Sequence, residues 1–558
     1  MDVLLITIFV AALVALSWPI GTMMAWAMAP ESAETTFRGR LDRLLIRMGG
    51  SLLRTPHGWK TYCYTLLLVN AGMFVLVFAV LALQQVLPLN PDGKGALEGS
   101  LIFNTAASFT SNTNLQHYSG EVSLSYFSQI FGLMWLQFVS AATGIAALAA
   151  LARGLAGNPK IGNFYLDFLR ATFLVLLPIA LIVACALALL GVPMTFEGAA
   201  VAQTLEGATQ TIARGPVAAF VTIKQLGTNG GGFFGPNSTH PLENPGFWSN
   251  IIECMSILLI PMGAVWMFGR ITRRMKHAAV IFCVMLLLLV TKMSLAVAFE
   301  SQQTPAFAGQ PVTDLGLNLE GKELRFGGAA GPVWAVATTA TSNGSVNAMH
   351  DSLNPLTGLL PMIGMWLNVT FGGVGVGMIN MFLYIIIGVF IAGMMVGRTP
   401  EYLTRKVETK EMTLALLALL IHPLFILGGT ALFASTALGA DTLNNPGSHG
   451  FSEILYEFSS AAANNGSGFE GLGDNTVSWN IATGLIMLLG RYLPIILPLA
   501  IAGSLAAKKP TPETIGTLHT DRPLFGFVLL GSVVLVGALL FLPVAVLGPV
   551  AEHLGNMQ

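Results

Sequence analysis

Apolar runs of about 20 residues alternate along this chain with shorter polar segments, the length a helix needs to cross the hydrocarbon core of a bilayer. Ten such runs lie near 3–29, 62–87, 124–152, 168–192, 247–269, 277–300, 359–396, 412–436, 478–506 and 523–549. The seventh is too long for one straight span. It is interrupted by Gly372-Gly373-Val374-Gly375-Val376-Gly377, and glycine loses the most backbone entropy on entering a helix, so this span is predicted to break there.

The loops after spans two, four, six and eight are long. Each holds a moderately apolar segment of about 11 residues, too short to cross and suited to a re-entrant helix. These segments are Gly99 to Thr110, Gly215 to Leu226, Gly331 to Thr341 and Phe451 to Ala463. Two begin Gly-Pro, which predicts proline in the first helical position, where its missing N–H costs nothing. A polar, small-residue stretch follows each one: Ser111-Asn112-Thr113-Asn114-Leu115-Gln116, Thr228-Asn229-Gly230-Gly231-Gly232-Phe233, Ser342-Asn343-Gly344-Ser345-Val346-Asn347 and Asn464-Asn465-Gly466-Ser467-Gly468-Phe469. Aligned on Asn112, Asn229, Asn343 and Asn465, they recur at intervals of 117, 114 and 122 residues. One Asn-Gly pair is a weak turn signal. Four at a regular interval, each between a re-entrant segment and a full span, predict fourfold internal duplication.

The expected fold is therefore an all-α polytopic membrane protein. Four pseudo-symmetric repeats of span, pore helix, filter loop and span occupy 62–152, 168–269, 277–396 and 412–506, with an extra span at each end, 1–29 and 523–549. Composition agrees: 54% of residues are hydrophobic, 10% are charged and the mean hydropathy is +0.70, whereas soluble domains carry about 25% charged residues. The net charge of −1 gives no reason to expect nucleic acid as a partner. Cys63, Cys185, Cys254 and Cys283 all fall in apolar runs without metal-ligand spacing and read as small hydrophobes. The first run is too long for a signal peptide and reads as a retained span.

Twenty of the 27 lysines and arginines fall in one set of loops; Lys94, Arg214, Lys224, Lys322 and Arg325 fall in the other, and Lys292 and Arg491 lie inside spans. This asymmetry assigns the first set to the cytoplasm and both termini to the outside. Nineteen of the 28 acids fall outward, among them Glu121, Glu243, Glu300, Asp351, Glu453, Glu457, Glu470 and Asp474, an arrangement that would gather cations at the mouth. Lys292, near the outward end of its span, is expected to snorkel.

Four re-entrant helices would aim their C-termini, each carrying about half a negative charge, at one centre. Loop carbonyls with Thr and Ser hydroxyls can then replace the water around a cation. The candidate filter residues are Ser111, Asn112, Thr113, Asn114, Gln116, Thr228, Asn229, Gly230, Gly231, Gly232, Ser342, Asn343, Gly344, Ser345, Asn464, Asn465, Gly466, Ser467 and Gly468. Neutral oxygens suit a weakly hydrated monovalent ion such as potassium; magnesium would call for carboxylates and retained water.

On these four loops, with Ile-Ala-Gly-Ser-Leu at 501–505 and Asn-Gly-Ser-Val-Asn-Ala-Met-His-Asp at 343–351, the chain resembles the superfamily of bacterial and plant potassium transporters. Within it, the chain is similar to the potassium-transporting ATPase A chains, the potassium-binding subunits of Kdp complexes. The resemblance spans nearly the whole length, and ten spans rather than eight is the Kdp pattern. It implies a multi-pass protein of the bacterial inner membrane, both termini periplasmic, that takes K+ from the periplasmic side and passes it sideways through a tunnel to a partner P-type ATPase subunit, alongside small accessory membrane subunits. It also implies a barrier under the filter, matched by Gly372, Gly373, Gly375 and Gly377, with Arg491 as a charge that helps block direct conduction. A buried membrane arginine is a functional candidate in its own right, although pairing with a carbonyl or an acid explains one equally well. No Gly-x-x-x-x-Gly-Lys-Ser/Thr loop or Asp-Lys-Thr-Gly motif occurs, and no cytoplasmic loop has room for a nucleotide domain, so no nucleotide is expected to bind this chain. The competing readings are a self-sufficient potassium channel or ion-coupled transporter of the same superfamily, and a membrane scaffold without transport.

Overall fold

Residues 2–29, 36–304, 318–395, 397, 399–512 and 518–555 are described by the computed structural model; Met1 and Val396, which bound two of the expected segments, lie outside them. Among the described residues ten helices are long and apolar enough to cross a membrane. They are α1 (Asp2–Met28), α3 (Trp59–Ala82), α5 (Ser128–Leu155), α6 (Phe164–Leu189), α8 (Phe247–Ile271), α9 (Met275–Glu300), α12 (Val376–Met395), α13 (Thr409–Ala434), α15 (Val477–Ala507) and α16 (Pro523–Gly555). Between them lie the surface helix α2 (Phe37–Gly49), the short helices α4 (Gly99–Thr110), α7 (Val217–Leu226), α10 (Ala330–Ala340) and α14 (Gly447–Ala463), and α11 (Pro355–Leu367). Two antiparallel hairpins, Ala200–Gln203 with Thr209–Ile212 and Glu401–Tyr402 with Arg405–Lys406, are the β-structure seen among the described residues.

Three of the short helices pack between neighbours of their own stretch of chain, α7 between α6 and α8, α10 between α9 and α11, and α14 between α13 and α15, whereas α4 packs against α3 and against the distant α15. The interior is built on α5, α8 and α12, whose apolar windows are 83%, 72% and 72% buried, whereas those of α1 and α16 are 22% buried. α1 lies on α8, and α16 on α9 and α12. A helix that is apolar all round and mostly uncovered needs lipid to cover it.

The closest approach in this interior depends on small side chains. Residues Ala141, Ala142, Gly144, Ala146, Ala147, Ala149, Ala150 and Ala152 of α5 are all buried. A Cβ on Gly144 would lie 2.2 Å from the Val374 carbonyl oxygen, and one on Gly375 would lie 2.1 Å from that of Gly144. Small residues let backbones meet in this way inside membranes.

The seventh expected span is broken. α11 stops at Asn368, which is left-handed at φ 47°, and α12 restarts at Val376. Phe371, Gly372 and Gly375 also have positive φ. The break therefore begins four residues before the first glycine of the run, and Val376 and Gly377 are already helical. Three helix starts also differ from expectation. α14 begins at Gly447 rather than Phe451. Pro216 caps α7 from outside, and Pro332 is the third residue of α10. Every N–H of a first helical turn lacks an intrahelical acceptor, so proline anywhere there loses no bond. Lys292 does not snorkel: it is 6% exposed, and no described residue hydrogen-bonds its Nζ.

Candidate functional site

The four short helices end alike. Thr113 N donates to Ser108 O at 2.9 Å, Asn229 N to Lys224 O at 3.0 Å, Asn343 N to Thr338 O at 2.9 Å and Asn465 N to Ser460 O at 2.9 Å. A bond reaching back five residues closes a helix through a left-handed residue. Those residues are Asn112, Thr228, Ser342 and Asn464, with φ of 67°, 48°, 50° and 53°. Two positions later φ is positive again, at Asn114 (58°), Gly230 (83°), Gly344 (91°) and Gly466 (100°). The backbone thus sets a register one residue away from the asparagine alignment in the first loop. Asn112 corresponds to Thr228, and Thr113, not Asn112, corresponds to Asn229. Asparagine tolerates the left-handed region better than other side chains, which explains how Asn114 stands where the other loops have glycine.

The loops touch in a closed order. A Cβ on Gly230 would lie 1.7 Å from Asn343 O, one on Gly344 would lie 2.2 Å from Asn465 O, and one on Gly466 would lie 2.1 Å from Thr113 O. Gly231 abuts Asn114, where a Cβ would meet Asn114 Cβ at 2.8 Å. Loop two thus meets loop three, three meets four, four meets one, and one meets two. Side-chain amides lace the joints. Asn112 Nδ2 donates to Gly227 O and Thr228 O, Asn343 Nδ2 to Lys224 O, Asn465 Nδ2 to Thr338 O, and Asn464 Nδ2 to Thr113 Oγ1. The amides of Asn112 and Asn229 meet at 2.8 Å.

These contacts identify which oxygens are free. The hydroxyls expected as ligands are committed within the protein: Ser111 to Thr113 (2.6 Å), Ser342 to Asn368 (2.7 Å), Ser345 to Gln225 (2.8 Å), Ser467 to Asn465 (2.5 Å), and Thr228 to the N–H of Val374 (3.0 Å). The carbonyls of Gly230, Gly231 and Gly232 accept from Asn237, Gln137 and Gln116. No described residue donates to the carbonyls of Thr113, Asn229, Asn343 and Asn465, one at the same position of each loop. Gln116 is not laid out as a free ligand either. It clamps Gly232 on both sides, Oε1 accepting from its N–H at 2.7 Å and Nε2 donating to its carbonyl at 3.0 Å.

Behind loop two lies a polar cluster that sequence reasoning missed. Lys224 was counted among outward-loop cations, yet it is fully buried in α7. Its Nζ donates to Asn237 Oδ1 (2.7 Å), Ser238 Oγ (2.6 Å) and the Glu243 carboxylate, while Glu243 Oε1 accepts from Phe234 N at 2.9 Å. Asn237 in turn holds the Gly230 carbonyl at 2.7 Å. The signal available was a lysine inside an otherwise apolar re-entrant segment, which is costly unless paired.

Two cavities flank the loops. The outer one, of about 570 Å3, is lined from all four: by Leu115 and Gln116, by Gly235 and Asn237, by Gly344 and Val346, and by Gly466, Ser467 and Gly468. The inner one is lined by Ser342, Asn368, Gly373, Asn380, Asn464 and Arg491 and extends to His422 of α13 and Phe541 of α16. The broken segment is tied to the loops' undersides. Gly372 N donates to Ala340 O at 2.8 Å, and Val374 N to Thr228 Oγ1 at 3.0 Å. Arg491 is 3% exposed, and its Nη2 donates to Ser140 O at 3.3 Å. No described acid pairs with it, so of the two bland partners a carbonyl is the one present.

The acids expected to face outward are less free than their count suggests. Glu243, Glu300, Asp351, Glu453 and Glu457 are buried; Glu300 pairs with Lys322 at 2.6 Å, and Glu453 accepts from the backbone of Asn444 and Asn445. Asp351 shares His449 with Glu552 of the C-terminal helix, at 2.8 and 2.9 Å from the two ring nitrogens. Burial pulls the His449 pKa down, but the two carboxylate hydrogen bonds outweigh it and raise the value to about 10. A raised folded-state pKa gives stability that is complete below the ordinary value of 6.5 and disappears as pH rises through about 10. Thermal midpoints should therefore fall between pH 7 and 10, and His449→Gln should flatten that slope; an unchanged slope in the variant would remove His449 from the account.

The family model described as "Potassium-transporting ATPase A subunit" matches residues 7–554. Among solved structures, the potassium transporter TrkH from Vibrio parahaemolyticus is similar at 13% identity and a TM-score of 0.49, over 87% of this chain and 97% of that one.

Proposed function

Because this chain belongs to the family of potassium-transporting ATPase A subunits, we propose that its four loops form one ring-shaped filter that selects K+ on the periplasmic side and passes it to a partner P-type ATPase subunit. The family's members are non-catalytic, potassium-binding subunits of the Kdp complex, so this multi-pass inner-membrane protein transports potassium without itself hydrolysing ATP. The repeats at 62–152, 168–269, 277–396 and 412–506 supply one quarter of the ring each, with the first and last spans outside it.

The observation that carries this reading is the set of four donor-free carbonyls at Thr113, Asn229, Asn343 and Asn465, held between two cavities. Neutral carbonyl oxygens replace the hydration shell of a weakly hydrated monovalent cation. Hydroxyls and side-chain amides build the ring, and backbone carbonyls coordinate. Gly372 to Gly377 floors the filter, and Arg491 adds a positive charge to the inner cavity. That charge opposes straight passage to the cytoplasm. The inner cavity runs instead towards α13 and α16, which supports a sideways route through the third and fourth repeats.

Membrane vesicles holding the intact complex test both halves. Uptake should require ATP, and Gly232→Asp should weaken apparent potassium affinity and admit smaller ions. A Cβ at Gly232 already meets Phe234 O at 2.5 Å, and the new carboxylate would displace the Gln116 clamp. ATP-independent uptake by this chain alone would favour the self-sufficient transporter. Unchanged affinity in the variant would remove loop two from the filter.

A further inference from the structure

Beside the filter, three ligand-type side chains converge from separate parts of the chain. His117 follows the first loop, Glu457 lies in the middle of α14, and Asp474 precedes α15. His117 Nε2 is 3.3 Å from Glu457 Oε1 and 3.8 Å from Asp474 Oδ2, and all three ligand atoms lie within 4.8 Å of one another. Ligand bonds of about 2.0–2.1 Å in a tetrahedron place neighbouring ligand atoms about 3.3 Å apart. The His117 and Glu457 side chains are 0% and 1% exposed, and that of Asp474 is 27% exposed on the outer cavity. An ion can enter there, and a water can complete the shell.

We propose that His117, Glu457 and Asp474 form a binding site for a zinc-like divalent cation in the wall of the outer cavity, apart from the four carbonyls of the filter. Three features favour this chemistry. One imidazole with two carboxylates suits zinc, whereas calcium and magnesium take six or more oxygens. The imidazole is oriented from behind: its Nδ1 lies 2.7 Å from Asn480 Oδ1, and Asn480 is held by Ser100 (3.0 Å) and Asn475 (3.2 Å). That leaves Nε2 facing the carboxylates, as in metal-binding histidines, whose other ring nitrogen is held by a hydrogen bond. Charge also balances. No described lysine or arginine pairs with Glu457 or Asp474, so a protonated His117 leaves one negative charge uncompensated, whereas a neutral His117 with a dication leaves none.

The intact complex, stripped with chelator and titrated with zinc chloride, tests the site. The wild type should bind one more Zn2+ than the His117→Gln and Asp474→Asn complexes. Asn480→Ala should keep the site with about 10- to 100-fold weaker affinity. Zinc-edge absorption should show one imidazole nitrogen among light-atom ligands. Equal zinc occupancy in the wild type and both ligand variants would overturn the proposal and leave an imidazolium held between two carboxylates. If His117→Gln fails to assemble, Asp474→Asn, which alters the most exposed member, decides the matter alone.

Discussion

Gly230→Ala is expected to abolish potassium uptake, although it adds only one methyl group. Two costs coincide at this position. The backbone is left-handed at φ 83°, which costs a side chain of this kind about 1–2 kcal/mol. The added Cβ would lie 1.7 Å from the Asn343 carbonyl oxygen and 2.5 Å from Ser345 N, so loops two and three must part. The displaced atom is one of the four donor-free carbonyls. Gly207 supplies the control: its φ is 82°, and nothing lies within 4 Å of a Cβ built there. Gly207→Ala carries the same backbone cost without the clash and should transport normally. Apparent affinity and maximal uptake of rubidium or potassium into vesicles separate the two. Loss in both variants would make backbone strain, not ring closure, the cause.

Lys224→Met should be the most destabilising single change at the site. It leaves the Glu243 carboxylate, 0% exposed, without its cation. Breaking a buried pair by removing one partner costs about 3–5 kcal/mol, whereas replacing both is often neutral. Lys224→Met combined with Glu243→Gln should therefore recover most of the lost thermal stability. The single variant should also loosen Asn237 and, through it, the Gly230 carbonyl, weakening potassium affinity in whatever fraction assembles. Equal stability of single and double variants would mean that the pair is solvated rather than dry.

Span length and the polar stretches after short apolar segments made much of this architecture legible. Helix length is dictated by the bilayer, and four isolated Asn-containing turns among apolar runs stand out in any reading. What stayed hidden depends on three-dimensional closure. Matching Asn112 to Asn229 was natural by residue type, but helix ends are matched by the hydrogen bond back to Ser108 or Lys224, and that bond puts Thr113 there. The hydroxyls of Ser111, Ser342 and Ser467 could not be distinguished in sequence from ion ligands, because a hydroxyl is both donor and acceptor and only the folded backbone turns it to Thr113, Asn368 or Asn465. Burial was equally invisible for Glu243. A charge in a short loop and a charge paired in a dry pocket have the same local sequence signature.

One hydrogen bond joins the broken segment to loop two. Val374, in the broken segment under the loops, donates to the hydroxyl of Thr228 at 3.0 Å, and Thr228 is the left-handed residue on which loop two turns. The segment's other anchor, Gly372 N on Ala340 O, grips the end of α10. The broken segment is thus hydrogen-bonded both to the turn of loop two and to the end of α10. On the function proposed above, a movement that lowers this floor pulls on Thr228, so a variant that widens the floor should show relaxed ion preference before it shows faster flow.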